Sequence, residues 1–345
     1  MGDAGPTVDG QLCEIADRSG IAFHHPVGLL RISSSEPDAL VSLRQAEDVG
    51  RALHAPLERL GATELAERFP LIKFSPQAQA LHETGDAGFI VPRALVAAQT
   101  KIAAAQGAQL VREEVSDIAR DRQRGVFEIT TQSGQQILAA RVVFSVHGYT
   151  NFILRQVLGR ALDLASLPHT TVYAELDATQ AQRFADVPVL IWQLAGHPVL
   201  PSIYSTPPMR FPNGRSYLKI GGPLHRYSAL RTPDEMLTWF HSAGDPIEIE
   251  ALQSVLVEVM DGLQVARWAS KPCMNTYTPH DHPYIAQLDE GLFVCTGGCG
   301  SAAKSSDEIG RMGAMLALEG KWTGDLSSED FAAVYASDSP CYGVP

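Results

Sequence analysis

Apolar residues recur at mixed spacings of three and four over residues 11–18 and 37–68, which predicts mostly helical segments there. Between them Pro26-Val27-Gly28-Leu29-Leu30-Arg31-Ile32 is a short apolar run and reads as a strand. The stretch from Pro76 to Gly88 is rich in turn formers. Pro92 stands where a first helical turn tolerates proline, and Leu95, Val96, Ile102 and Ala103–Ala105 carry an alanine-rich helix to Gly107. Short strands are then predicted at Ala108–Val111, Val115–Ala119, Val126–Thr131 and Gln136–Val146, with turns at Arg124-Gly125 and Ser133-Gly134.

Over residues 150–280, strand-like runs (Thr171–Leu176, Val189–Gln193, Tyr217–Ile220) alternate with helical patterns (Asp234–Ser242, Glu248–Met260), which predicts a mostly antiparallel sheet. Leu292-Phe293-Val294-Cys295 reads as a buried strand, followed by a glycine-rich turn and a helix from about Ala302 to Glu319. Helix, meander, sheet and closing strand–helix together give a mixed α/β and α+β chain. Residues 1–10 and 336–345 read as tails.

Composition narrows the partners. The 345 residues hold 27 Lys+Arg against 39 Asp+Glu, a formal net charge of −12, which disfavours nucleic acid or an anionic membrane as the main partner. No apolar run reaches the roughly 18 residues of a membrane span. The first residues lack the basic and apolar regions of a secretory signal. Five scattered cysteines (Cys13, Cys273, Cys295, Cys299, Cys341) make no disulfide framework and suit a reducing, cytoplasmic compartment.

Thr296-Gly297-Gly298-Cys299-Gly300-Ser301-Ala302-Ala303-Lys304 is the strongest local feature. Gly298, Gly300 and Ala303 fit G-x-G-x-x-A, but no second parallel strand with an acidic residue follows, so a dinucleotide fingerprint is not read here. Two readings stay open: a helix N-terminus facing an electron-rich group, or a plain strand-to-helix turn. His280-Asp281-His282 lacks a third ligand at metal spacing and suits a turn, so no metal is assigned. Cys273 alone reads as a small buried hydrophobe, and Cys295 with Cys299 as core packing before a redox pair. His24-His25 and His147 show no partner at any spacing.

Taken in order, five stretches resemble the sarcosine-oxidase-like branch of the FAD-dependent amine and D-amino-acid oxidases. They are Gly88-Phe89-Ile90-Val91-Pro92-Arg93-Ala94-Leu95 with Gly107-Ala108; Val142–Val146 with His147-Gly148-Tyr149-Thr150; Tyr204 with Leu218-Lys219-Ile220-Gly221; Lys271-Pro272-Cys273 with Thr278-Pro279; and Gly297 to Lys304. The last two are the most specific, and the likeness spans residues 11 to 335.

The resemblance implies a glutathione-reductase-like FAD-binding layer from residues 87–155 and 284–335, and an antiparallel substrate sheet from 11–86 and 156–283. It implies oxidation of a C–N bond in a secondary amine or amino acid, with oxygen or another acceptor taking the electrons and the imine giving a carbonyl product. FAD would be attached through Cys273, with Val115, Gly148, Gly297, Gly298, Gly300, Ser301 and Lys304 as further cofactor contacts. Tyr204, Lys219, His225 and Lys304 would serve catalysis, Lys304 on the first turn of a helix. The family's N-terminal G-x-G-x-x-G βαβ unit has no counterpart in this sequence, so the FAD-type sheet is expected to be incomplete, with an open apolar slot. The sequence departs from the family twice more, at Ser301 and Pro223, where histidines are usual. An alternative therefore stands beside the enzyme: a non-catalytic remnant, or a split-enzyme subunit whose partner supplies that unit.

Overall fold

A computed structural model describes residues 8–33 and 36–336. The chain runs α1 (Val8–Ser19), β1 (His24–His25), β2 (Leu29–Ser33), α2 (Pro37–Ala52), β3 (Leu57–Gly61), α3 (Ala62–Arg68), β4 (Gln79–Glu83), β5 (Phe89–Ile90) and α4 (Pro92–Ala105). There follow β6 (Val115–Asp121), β7 (Val126–Thr131), β8 (Gln136–Ala139), β9 (Val142–Phe144), α5 (Thr150–Leu158), β10 (Ala165–Leu176), α6 (Ala178–Arg183), β11 (Val189–Gln193), β12 (Ser202–Arg210) and β13 (Ser216–Gly221). The chain closes with α7 (Pro233–Phe240), α8 (Pro246–Val259), β14 (Arg267–Tyr277), β15 (Tyr284–Asp289), β16 (Leu292–Thr296) and α9 (Ser306–Glu319).

An eight-stranded sheet, in the order β14-β10-β13-β12-β11-β2-β4-β3, takes three strands from residues 29–83 and five from 165–277. Only the β2–β11 pair is parallel. One face buries Leu30, Val172, Leu190, Leu218 and Ile220 against Leu65 of α3 and Leu252, Val255 and Leu256 of α8. Because strand side chains alternate, the residues between these point to the other face.

A second sheet, β15-β16-β9, pairs β16 with β9 in parallel. The meander β6-β7-β8 and α5 cover one side through Ile118, Phe127 and Leu154, and Met312 of α9 packs with Ile285 on the other. Among the described residues no helix is long and apolar enough to cross a membrane.

Several expectations need correction. Residues 136–146 form two strands in two sheets, because the chain crosses at Ala140–Arg141, packed against Gly291. Ala108–Val111 is irregular and exposed, without a partner strand. Within the stretch 37–68 the chain inserts β3, and the turn-rich 76–88 contains β4. The predicted strand at 26–32 is broken by Gly28 at φ +78°. α1 packs on α4 through Leu12, Ile15, Phe23, Leu95 and Ala98, so the segment starting at residue 11 does not join the large sheet until β2. α1 also takes in residues 8–10 of the expected N-terminal tail, while residues 1–7 and 337–345, Cys341 among them, lie outside the described residues.

Candidate active site

The register of the large sheet decides which side chains meet. His169 of β10 lies opposite Cys273 of β14, Tyr173 opposite Lys219 of β13, and Thr171 opposite Gly221, which in turn faces Tyr204 of β12. All seven therefore share the face turned away from the buried core. The ammonium of Lys219 sits 5.2 Å from the centre of the Tyr204 ring, a cation–π approach. Lys219 has no acidic partner among the described residues. Gly221 makes this possible, since a Cβ there would come within 2.5 Å of the Tyr204 hydroxyl. That hydroxyl is desolvated, which raises its pKa, and Thr171 beside it offsets part of the rise. The Tyr173 hydroxyl is likewise raised by burial, while the positive charges of Lys219 and of Arg93 on α4 pull it back.

His169 anchors the deeper end. Its Nδ1 lies 2.8 Å from the Tyr227 hydroxyl, and its Nε2 lies 3.4 Å from the Tyr277 hydroxyl. Burial pushes its pKa down to about 4, so the ring is neutral at pH 7.

The closing turn docks onto the same strand. Gly297, Cys299 and Gly300 take left-handed backbone at φ +76°, +48° and +72°, a region cheap only for glycine. The Cys299 N–H donates to the Thr276 carbonyl at 3.0 Å. A Cβ at Gly297 would come within 2.5 Å of Thr278 Cγ2, and one at Gly300 within 3.2 Å of Asn275 Nδ2. At Gly298 an added Cβ would meet that of Ala302 at 2.8 Å. The alternating residues Cys273, Asn275 and Tyr277 thus lead from under this turn to the Tyr204–Lys219 pair.

Of the sequence-predicted residues, Tyr204, Lys219 and Cys273 are brought onto one face, with Gly297, Gly298 and Gly300 at its end. Cys273 is exposed rather than buried, because its strand lies at the sheet edge and its side chain faces away from the core. Lys304 and Ser301 are exposed in turns preceding α9, which begins only at Ser306, so Lys304 is not on a first helical turn. His225 is held elsewhere, its Nε2 2.9 Å from the His197 carbonyl at the β11–β12 loop. Val115 opens β6 opposite Thr131, away from the turn. Gly148 is a packing position, where a Cβ would meet Ser166 Oγ at 2.5 Å and Met274 Cε at 2.8 Å. The His280 ring accepts from the His282 N–H at 3.2 Å and stands 3.2 Å from the Ala332 carbonyl, so it serves its own turn. Cys295 is desolvated, its thiol pushed up to about 11.

Sequence reasoning missed His169, Tyr173, Tyr227, Tyr277 and Arg93. The signal for three of them was the period of two in His169-x-Thr171-x-Tyr173 and Cys273-x-Asn275-x-Tyr277.

A family model described as FAD dependent oxidoreductase matches residues 11–316. No curated protein matches the sequence. Among solved structures, the chain is similar to the open form of NikD, an unusual amino acid oxidase essential for nikkomycin biosynthesis, at 19% identity and a TM-score of 0.77, over 94% of this chain and 81% of that one. It is similar to glycine oxidase from Geobacillus kaustophilus at 17% identity and a TM-score of 0.64, over 93% and 78% of the two chains. It is also similar to iminodiacetate oxidase from Chelativorans sp. BNC1 at 17% identity and a TM-score of 0.67, over 94% and 80%. These likenesses are of fold.

Proposed function

The chain belongs to the family of FAD-dependent oxidoreductases, and from that premise we propose that it oxidises the C–N bond of an amino acid or secondary amine to an imine, which water converts to a carbonyl product. The observation that carries this reading is the unpaired Lys219 lying over Tyr204 on the same sheet face as the exposed Cys273. The residues fit a flavin: an exposed thiol, an aromatic and hydroxyl-lined face, a fixed cation, and a turn whose glycines leave room for close approach. FAD, when bound, supplies the two-electron acceptor. Residues 87–155 and 284–335 would hold it, and 11–86 and 156–283 would present the substrate.

In this reading Cys273 is the covalent anchor. Lys219 and Arg93, both felt by the Tyr173 hydroxyl, orient a substrate carboxylate, which favours an amino acid over a simple amine. Tyr204 packs against the substrate, and its flat position depends on Gly221. Gly297, Gly298, Gly300 and Ser301 border the cofactor, and Lys304 adds a second cation beside them. His169, neutral at pH 7, positions the Tyr227 and Tyr277 hydroxyls rather than exchanging protons.

The test is direct. The purified chain is mixed with FAD, precipitated with acid and examined for bound flavin colour. Colour should stay with the wild-type precipitate and leave Cys273→Ser. Anaerobic addition of amino acids should then bleach the flavin, and Lys219→Met should raise KM for carboxylate substrates at least tenfold, a loss of about 1.4 kcal/mol. Absence of flavin uptake, or colour retained by Cys273→Ser, would count against the reading. Reoxidation by oxygen against an artificial acceptor separates oxidase from dehydrogenase. One observation favours the second reading, a non-catalytic or split-enzyme subunit: among the described residues β9 is paired on one side only.

A further inference from the structure

A cavity of about 810 Å³ opens between α5, the chain after it and the segment leading into α7. Tyr204, Lys219, Cys273 and Lys304 do not line it; Gly148, expected from the sequence as a cofactor contact and found at a packing position, does. Its charged lining is Arg155, Arg160 and Arg231, with no acidic residue, in a chain of net charge −12. Among the described residues none of the three has an ion-pair partner. The Glu235 carboxylate accepts from the backbone N–H of Arg231 at 2.5 Å, outside the cavity lining, so the three guanidinium groups themselves remain available to a ligand.

The arrangement is also partly pre-organised. The Arg160 guanidinium lies 3.7 Å from the centre of the Tyr335 ring. Tyr335 is itself tied down by a β-bridge to Leu162 and by its hydroxyl, which donates to the Leu288 carbonyl at 3.5 Å. A guanidinium stacked on a ring keeps its in-plane N–H donors free for a carboxylate or phosphate. Arg155, in the last turn of α5, also complements the helix dipole. That accounts for one charge; it does not account for Arg231, which comes from another element, or for the stacking platform under Arg160.

We propose that this cavity binds a small molecule with a doubly charged anionic head, a phosphate or a dicarboxylate. Its volume is in the range of small-ligand pockets, of order 300–1,000 Å³. The inference is independent of the catalytic reading, since its residues and its assay involve neither Cys273 nor turnover.

Calorimetric titration of the purified protein tests it, with inorganic phosphate in one arm and succinate in the other, at constant ionic strength and with and without FAD. Saturable binding of at least one probe is expected, weakened at least tenfold in Arg160→Gln and in Arg231→Gln and unchanged in Arg44→Gln, an exposed arginine on α2. The arm that binds tighter names the head group. All three arginines are exposed, so unchanged melting of the variants is expected and would confirm that they remain folded. Binding of neither probe, equal affinity in wild type and both cavity variants, or loss of binding on adding FAD would overturn the proposal.

Discussion

Glu248 is fully buried in the first turn of α8, and neither carboxyl oxygen meets a hydrogen-bond partner. Burial pushes its pKa from 4.5 up to about 7; Thr170 stands beside it without hydrogen-bonding geometry and offsets only part of the rise. A raised carboxyl pKa means that the folded state holds its proton longer than the unfolded chain. Stability from this group is complete below pH 4.5 and falls as pH rises towards 7, by about 3 kcal/mol in all. His169 acts with the opposite sign: its pKa falls from 6.5 to about 4, so stability is complete above 6.5 and is lost as pH falls towards 4. Between these limits the two slopes oppose each other. We expect Glu248→Gln to be more stable than wild type near neutral pH and to lose stability more steeply on acidification. His169→Asn should instead gain stability on acidification over the same window. Urea midpoints at about pH 5 and about pH 7.5 decide it; parallel pH profiles for Glu248→Gln and wild type would remove the carboxyl from the balance.

At the scale of elements, the closing turn between β16 and α9 depends on backbone that few residues adopt. Gly297 is left-handed, and a Cβ there would also strike Thr278 at 2.5 Å; Gly134 is left-handed with open space around it. Alanine at both sites carries the same kind of backbone strain, roughly 1 kcal/mol, and only Gly297→Ala adds the collision with β14. Gly297→Ala should therefore unfold at the lower temperature of the two, and it should lose flavin retention while Gly134→Ala keeps it. Equal melting temperatures would show that the turn can move off β14 without cost. Such elements were legible to different degrees. Local sequence marked α4, α8, β7 and β11 closely: Pro92 and an alanine run mark α4, and β11 opens on an unbroken apolar run. β3 was hidden because Leu57-Glu58-Arg59-Leu60 has helical spacing, and β4 because Gln79-Ala80-Leu81-His82-Glu83 has little intrinsic strand preference. Pairing on both edges of β4 supplies what its residues lack. The site was half visible for the same reason. Cys273 and the glycine turn are local motifs, whereas His169 meets Tyr227 and Tyr277 only through the register of β10 on β14 and the loop after β13.

For the whole molecule, the open edge of β9 is the feature with the clearest consequence in solution. Among the described residues its one neighbour is β16, and Val143 in its middle is 42% exposed. Unpaired backbone groups on an apolar edge are a template for another strand, and a second copy of this chain carries the same edge. The net charge of −12 works against such contact, but repulsion between exposed charges is screened by salt. Strand pairing is short-ranged and is not. Self-association should therefore grow with protein concentration and also with ionic strength, the reverse of what an ion-paired interface would do. Val143→Lys keeps the strand paired to β16 while placing a charge on the free edge, a residue that blunts edge-to-edge pairing. Lysine lowers the net negative charge and so weakens the overall repulsion, which means that loss of association in Val143→Lys cannot be assigned to repulsion; Val143→Glu places the opposite charge at the same edge. Sedimentation velocity at low and high salt should show association for the wild type and a monomer for both variants. Association unchanged in Val143→Lys and Val143→Glu would place the contact away from β9.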